Sequence, residues 1–412
     1  MLNHQEREIP RTLAQQYMEQ AETPRQEALQ KLWIDHNNGC GQRPMVLIDQ
    51  IPWNEMDVDG SLHCQVQDPY WRNVERNLRQ KLYQYRYMPA DMLLPPYLLI
   101  PRILKDPEYR SFGIQIQETT AATDAANDVV SHSYIKQLSS MEDVEKIRFT
   151  ALVPDFEKEA QVMETAKQVF EGIAPVYWEG ISMHSGLWDT ISMWQGVEEY
   201  YFMLMDEPEL IHAMMERMTQ ATLEMIRQGN EYGVFDTASG LCHCSHTITA
   251  PFSQEMAQRP GISQNSWTFG MAQLFTSVSP SITEEFELPY VSRIFEQFGN
   301  VYYGCCERLE DRLDLIAKLP NVRKVSCSPW NNPETFASNL PRHLIMSYKP
   351  NPALIACNDM DAMKRELKAA IQAAKDHHLN LEMILKDNSS VQYEPQRLWE
   401  FSRMALELVN SL

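Results

Sequence analysis

Residues 301–385 read VYYGCCERLEDRLDLIAKLPNVRKVSCSPWNNPETFASNLPRHLIMSYKPNPALIACNDMDAMKRELKAAIQAAKDHHLNLEMIL, and the alternation within this stretch decides the fold. Short apolar runs at Val301–Tyr303, Val322–Val325, Leu344–Met346 and Leu381–Leu385 have the length of buried strands. Helix-like stretches at Leu309–Lys318, Pro333–Ser338 and Met360–Ala374 separate them, and Pro395–Val409 closes the chain as another helix. Repeated βα units imply parallel strands covered by helices. Working upstream, Met45–Ile48, Tyr97–Ile100, Ile173–Trp178 and Gly233–Asp236 read as further strands. A helix at Trp71–Arg86 lies between the first two, and a helix pair over Val197–Glu231 is punctuated at Pro208. Gly113–Ser140 has little periodicity and reads as a loop excursion suited to a lid, followed by a helix over Met141–Phe170. No Gly-rich phosphate loop follows an early strand, which favours a (β/α)8 TIM-type barrel over a doubly wound sheet. The reading is therefore an α/β protein with one barrel over 43–412. A helical extension over 1–42 precedes it, with Leu13, Tyr17, Leu29 and Trp33 as its apolar positions.

Composition narrows the partners. The chain has 412 residues, 44% hydrophobic and 22% charged, with a formal net charge of -20. Such an acidic balance repels nucleic acid and anionic membrane surfaces, which attract clustered Lys and Arg. No apolar run reaches the roughly 20 residues that span a bilayer. Met1–Glu8 lacks the cationic start and apolar core of a secretory signal, so the expected location is cytoplasmic. The eight cysteines are then expected as free thiols. The sequence leaves a homo-oligomer open.

In a barrel, chemistry gathers where strands end. The residues at strand exits are Asp49, Asp236, Cys305, Cys306, Glu307, Cys327 and Asp387. Two thiols with carboxylates suit zinc, so Cys305, Cys306, Glu307, Cys327 and Asp387 form the candidate metal set. Successive strand side chains point to opposite faces. One of the two adjacent cysteines is therefore expected to face the interior, Cys306 being preferred, while the other packs. The plain alternative is that both are small buried hydrophobes. Cys242-His243-Cys244-Ser245-His246 offers good ligand types without the spacing of a zinc finger or ribbon, and it reads as a polar loop from which His243 acts as an acid. Asp49, Asp236 and Glu307 complete the catalytic candidates. For substrate contact, Trp188 and Asp189 share a loop suited to a flat apolar molecule, although a helix-capping Asp189 explains the acid equally well. Tyr303 and Trp330 are added to that set. The methionines at 214, 215 and 218 read as helix packing.

Several of these segments occur in an order that resembles the uroporphyrinogen decarboxylase superfamily. They are Gly186-Leu187-Trp188-Asp189, Gly196-Val197-Glu198, Asp206-Glu207-Pro208-Glu209, the Gln273–Glu285 segment leading to Pro289-Tyr290, and Tyr303-Gly304-Cys305-Cys306-Glu307. The resemblance spans roughly residues 40 to 410 and implies a single distorted (β/α)8 barrel. That superfamily includes decarboxylases and cobalamin-dependent methyltransferases. The arginine-rich motif that grips porphyrinogen carboxylates is missing from the first strand, which reads Arg43-Pro44-Met45-Val46-Leu47-Ile48-Asp49. The methyltransferase branch is nearer. Its zinc is held by a His-x-Cys pair and a later Cys. Here Cys306 falls near the first Cys, Gly304 stands at the His, and Asp387 or Asn388 stands near the later Cys.

The resemblance implies a methyltransferase acting on a methylated or methoxylated small molecule, with a bound zinc and a corrinoid protein as methyl carrier. The alternatives are a decarboxylase of a small organic acid and a non-catalytic ligand-binding barrel.

Overall fold

The computed structural model describes residues 2–122 and 130–412. Eight strand positions build the barrel, in chain order: β1 (Met45–Ile48), β2 (Leu98–Pro101), β3 (Val176–Glu179, resuming at Met183–His184), β4 (Trp267–Gly270), β5 (Asn300–Tyr303), β6 (Val322–Cys327), β7 (Ile345–Tyr348) and β8 (Leu381–Leu385). Parallel ladders join each strand from β2 to β8 to its successor, and β8 pairs back with β1. This is a (β/α)8 barrel with one seam. Among the described residues no ladder joins β1 to β2, and the reason is local. Asp91 takes the place of a strand partner, its N–H donating to the Val46 carbonyl at 2.9 Å and its carboxylate accepting from the Val46 N–H at 2.9 Å. Arg43 clamps that carboxylate bidentately at 2.7 and 2.8 Å. A cavity of about 420 Å³ occupies the opened seam, lined by Asp49, Trp53, Tyr97 and Glu179 among others.

Strand alternation sorts the core. Met45 and Leu47 of β1, Phe269 of β4, Tyr302 of β5 and Ile384 of β8 join one buried cluster inside the barrel. Val46, Ile48, Val301, Tyr303, Val325 and Cys327 join the cluster under the outer helices. The interior is completed from outside the strands. Ala238, Cys242, Cys244, Ile248 and Phe252 enter it from the segment after Asp236, and Leu29 and Trp33 enter from the helix Pro24–Asn37.

The observed elements correct several expectations. Gly233–Asp236 is not a strand, because the preceding helix runs to Tyr232 and only an isolated bridge joins Phe235 to Ile181. Its role in the sheet passes to Trp267–Gly270, which the sequence reading left unassigned. The helix expected over Met141–Phe170 is split into Met141–Val144 and Phe156–Val169, with Pro154 bridged to Leu104 between them. Within Gly113–Ser140 an antiparallel pair, Glu118–Ala122 with Val130–Tyr134, replaces the irregular loop; residues 123–129 lie outside the described residues. Among the described residues no helix is long and apolar enough to cross a membrane.

Candidate active site

Gly304 sets the geometry at the end of β5. Its φ of +90° belongs to the left-handed region, so the backbone leaves the strand and alternation stops there. Both thiols then turn to the same side, with Cys305 Sγ 3.5 Å from Cys306 Sγ. The expectation that only Cys306 faces the chemistry is corrected: Cys305 is the deeper sulfur, 6% exposed in the barrel interior, and Cys306 is half-buried at the rim. A Cβ on Gly304 would lie 2.6 Å from Leu309 Cδ1 and 3.2 Å from Ser326 Cβ. Gly304→Ala is therefore expected to destabilise the fold by about 1–3 kcal/mol, read as a lower urea midpoint.

Glu307 does not reach the mouth. Its carboxylate is 1% exposed and accepts the backbone N–H groups of Cys305 at 2.7 Å and Ala272 at 3.2 Å, so it fixes the turn that carries the thiols. Burial pushes the Glu307 carboxyl up, with the Cys305 sulfur adding to the effect. Burial also drives Asp189 up to about 7 and Glu287 up to about 8, each with a further contribution from Glu307.

Cys327 faces outward with Val325 and is fully buried under the helices, away from the other thiols. Asp387 does reach them, accepting from Cys306 Sγ at 3.2 Å. Between these groups stands a residue the sequence reading passed over. Lys386 Nζ lies 2.9 Å from Cys305 Sγ and 3.1 Å from the Asp387 carboxylate. An ammonium thus already occupies the space among the three donors. Among the described residues no three His, Cys, Asp or Glu side chains converge on a common cation position. The residues present do not fit the expected zinc.

A second thiol and lysine lie deeper. Lys349 Nζ lies 3.1 Å from Cys244 Sγ and 2.9 Å from Ser347 Oγ, and Tyr302 donates to the same Ser347 oxygen at 2.7 Å. His243 stands between the two thiols. Its ring lies flat on Phe269, with centroids 3.9 Å apart and planes within 3°, and its backbone φ is +54°. Burial works against the imidazolium, but the Cys244 and Cys305 sulfurs outweigh it and raise His243 to about 9. The Cys305 thiol is lowered, first by its contact with Cys306, against burial, then by His243 and Lys386. Burial opposes the Lys386 ammonium, yet Cys305, Cys306 and Asp387 raise its pKa.

His184 meets the same Phe269 ring edge-on, with centroids 5.0 Å apart and planes 67° apart. Burial, then Arg110 and His243, lower it to about 4. Its Nδ1 accepts the Gly186 N–H at 3.3 Å, which leaves the neutral ring's proton on Nε2. Both histidines and Phe269 line a cavity of about 320 Å³ together with Arg110, Met183 and Asp236. Such a volume fits a small ligand.

The remaining candidates divide. Asp236 borders the cavity, but its carboxylate is engaged by Ser239 and by the N–H groups of Gly180 and Ala238, and burial lifts it to about 6. Asp49 lines the seam cavity; burial raises it, against the pull of His243, Lys386 and Lys349. Trp188 is 1% exposed and packs on Tyr200 and Phe275, so it belongs to the core and not to a substrate pocket. Asp189 accepts from the Gln273 side chain at 3.0 Å and from its backbone N–H at 3.4 Å, at the start of the 3-10 helix Gln273–Ser277. Tyr303 is also buried, donating to Glu287 at 2.8 Å outside the barrel. Trp330 is 70% exposed beyond the end of β6. Lys349 and Lys386 were missed although each directly follows a strand, and that position was the available signal.

No family model matches the sequence, and no curated protein matches it. By structure the chain is similar to a methyltransferase from Methanosarcina mazei, with a TM-score of 0.52 and 11% identity over 92% of this chain and 99% of that one. A B12-independent methionine synthase from Shewanella sp. W3-18-1, in complex with selenomethionine, superimposes with a TM-score of 0.40 and 10% identity over 89% of this chain and 98% of that one. The first likeness agrees with the (β/α)8 barrel.

Proposed function

We propose that this protein is a methyltransferase that takes the methyl group of a methylated or methoxylated small molecule held in the cavity against Phe269. The observation that carries this reading is that His184 and His243 both pack on that ring, one edge-on and one stacked, and line one cavity at the mouth of a (β/α)8 barrel. Two titratable groups driven apart by their surroundings mark an acid and a neutral partner. A corrinoid on a partner protein would supply the methyl acceptor.

Removing a methyl group leaves negative charge on the departing oxygen or nitrogen. His243, protonated at neutral pH, donates its proton to that atom and prevents the charge from building up. His184 offers its Nε2–H to orient the same atom. Phe269 and Met183 provide the apolar wall that the methyl group and its carrier carbon need, and they keep water from competing. The Cys244 and Cys305 sulfurs hold the local field that keeps His243 charged, with Lys386 holding Cys305 as the thiolate. No step is assigned to zinc, because the donors around the thiol pair do not fit it.

Arg110 in the same cavity favours a second reading, in which it grips a carboxylate and His243 protonates the carbon left after loss of carbon dioxide. One screen separates them. The purified protein is incubated with a panel of methylated amines, methoxylated aromatics and small acids, in the presence of reduced cobalamin. Methylcobalamin formation supports methyl transfer. Carbon dioxide release without it supports the decarboxylase, and neither product from any compound leaves the ligand-binding barrel.

A further inference from the structure

The thiol pair carries chemistry of its own. We propose that Cys305 and Cys306 form a reversible dithiol that exchanges with low-molecular-weight disulfides and closes to a disulfide between neighbours. The juxtaposition is direct: the two sulfurs are 3.5 Å apart, both residues are free cysteines, and Gly304 supplies the turn that aims both side chains the same way.

The two sulfurs have different surroundings, and these assign the order of events. Cys306 is half-buried at the rim and donates to Asp387 at 3.2 Å, so it meets the small disulfide first. Its sulfur attacks one sulfur of RSSR, the Asp387 carboxylate takes the proton, and RS⁻ leaves. Cys305 lies behind it, 6% exposed, with the Lys386 ammonium 2.9 Å from its sulfur to hold it as the thiolate. The Cys305 thiolate then attacks Cys306 Sγ, and a second RS⁻ departs. The proton held by Asp387 passes to a leaving thiolate. Two protein sulfurs are oxidised and one RSSR is reduced to one thiol and one thiolate, so atoms, protons and electrons balance.

Adjacent Cα atoms are about 3.8 Å apart, below the roughly 4.4–6.8 Å that disulfides usually span. The ring is therefore strained and reopens readily, as in regulatory disulfides and unlike structural ones. Closure also takes the Cys305 sulfur away from Lys386 and His243. An effect on methyl transfer rests on the function proposed above, whereas the exchange chemistry does not.

The test treats the full-length protein with oxidised glutathione and follows the peptide carrying Cys305 and Cys306 by mass spectrometry after alkylation of free thiols. The expected result is a peptide that has lost two hydrogens, carries no glutathione and no alkyl group, and regains both alkylation sites after excess reduced glutathione. Cys305→Ser removes the resolving sulfur and is expected to trap one glutathione on Cys306. A wild-type peptide that keeps a stable glutathione adduct overturns the proposal. So does a peptide left unoxidised while the exposed Cys40 and Cys357 react. Circular dichroism of the variant confirms that it is folded when the adduct is counted.

Discussion

Replacing His243 with glutamine is expected to lower kcat/KM for methyl transfer by about 10²–10⁴-fold, the range for loss of a positioned general acid. Glutamine keeps a planar polar group on Phe269, so binding should change less than turnover. The pH profile provides the sharper readout. The neighbouring sulfurs raise His243 from its ordinary value to about 9. Its proton is therefore in place throughout the neutral range and is lost as pH rises through about 9. The wild type should show an alkaline limb there in kcat/KM, and His243→Gln should lack it. Lys386→Met removes a positive charge beside Cys305, which leaves a more basic sulfur facing His243. Because the lysine touches the sulfur and not the substrate, this variant is expected to shift the limb and to have a smaller effect on kcat.

Lys324→Met is expected to destabilise the protein by about 3–5 kcal/mol, the effect of breaking a buried ion pair from one side. Lys324 of β6 and Glu382 of β8 are both fully buried near the N-terminal end of the barrel, with Nζ 2.7 Å from the carboxylate. The ammonium also donates to Ser245 Oγ at 2.7 Å and the His246 carbonyl at 2.9 Å, which fastens the inserted segment to the strands. His36 of the helix that plugs this end is 3.5 Å from the same carboxylate. Burial alone would raise Glu382, but Lys324 and His36 outweigh it and hold the carboxyl far below its ordinary range. A depressed carboxyl stabilises the fold above its unfolded value, about 4.3, and that contribution is lost as pH falls below it. In Lys324→Met the unpaired Glu382 is driven the other way and folds more easily when protonated. The gap in urea midpoint between wild type and variant should thus be wide at pH 7 and narrow near pH 4.

The barrel was legible wherever a strand was apolar and bounded by turn residues. Met45–Ile48 and Leu381–Leu385 were read to the residue. β4 was not, because four residues with a threonine and a terminal glycine give too little signal, while Gly233–Asp236 mimics a strand yet finds one bridge. The site was half legible. The thiols, His243 and Asp387 were named, and they do meet at the mouth. What failed was the orientation of side chains around Gly304, since strand alternation says nothing once a residue takes φ of +90°. The insertion of Cys242, His243 and Cys244 into the barrel interior depends on contacts with β4, β5 and the helix Pro24–Asn37, which no local pattern encodes. Lys349 and Lys386 were overlooked because a lysine after a strand ordinarily reads as solvated, yet both are 2% exposed or less.

The chemistry assigned to the mouth rests on His243 being an imidazolium, held so by Cys244 and Cys305. Nitrogen-15 NMR of the imidazole-labelled protein, with His243 assigned by its absence in His243→Gln, measures this directly. The expected result is a ring protonated at pH 7 that titrates near 9 and moves downward in Cys305→Ser. A His243 ring already neutral at pH 7, in a folded wild-type protein, would contradict the account.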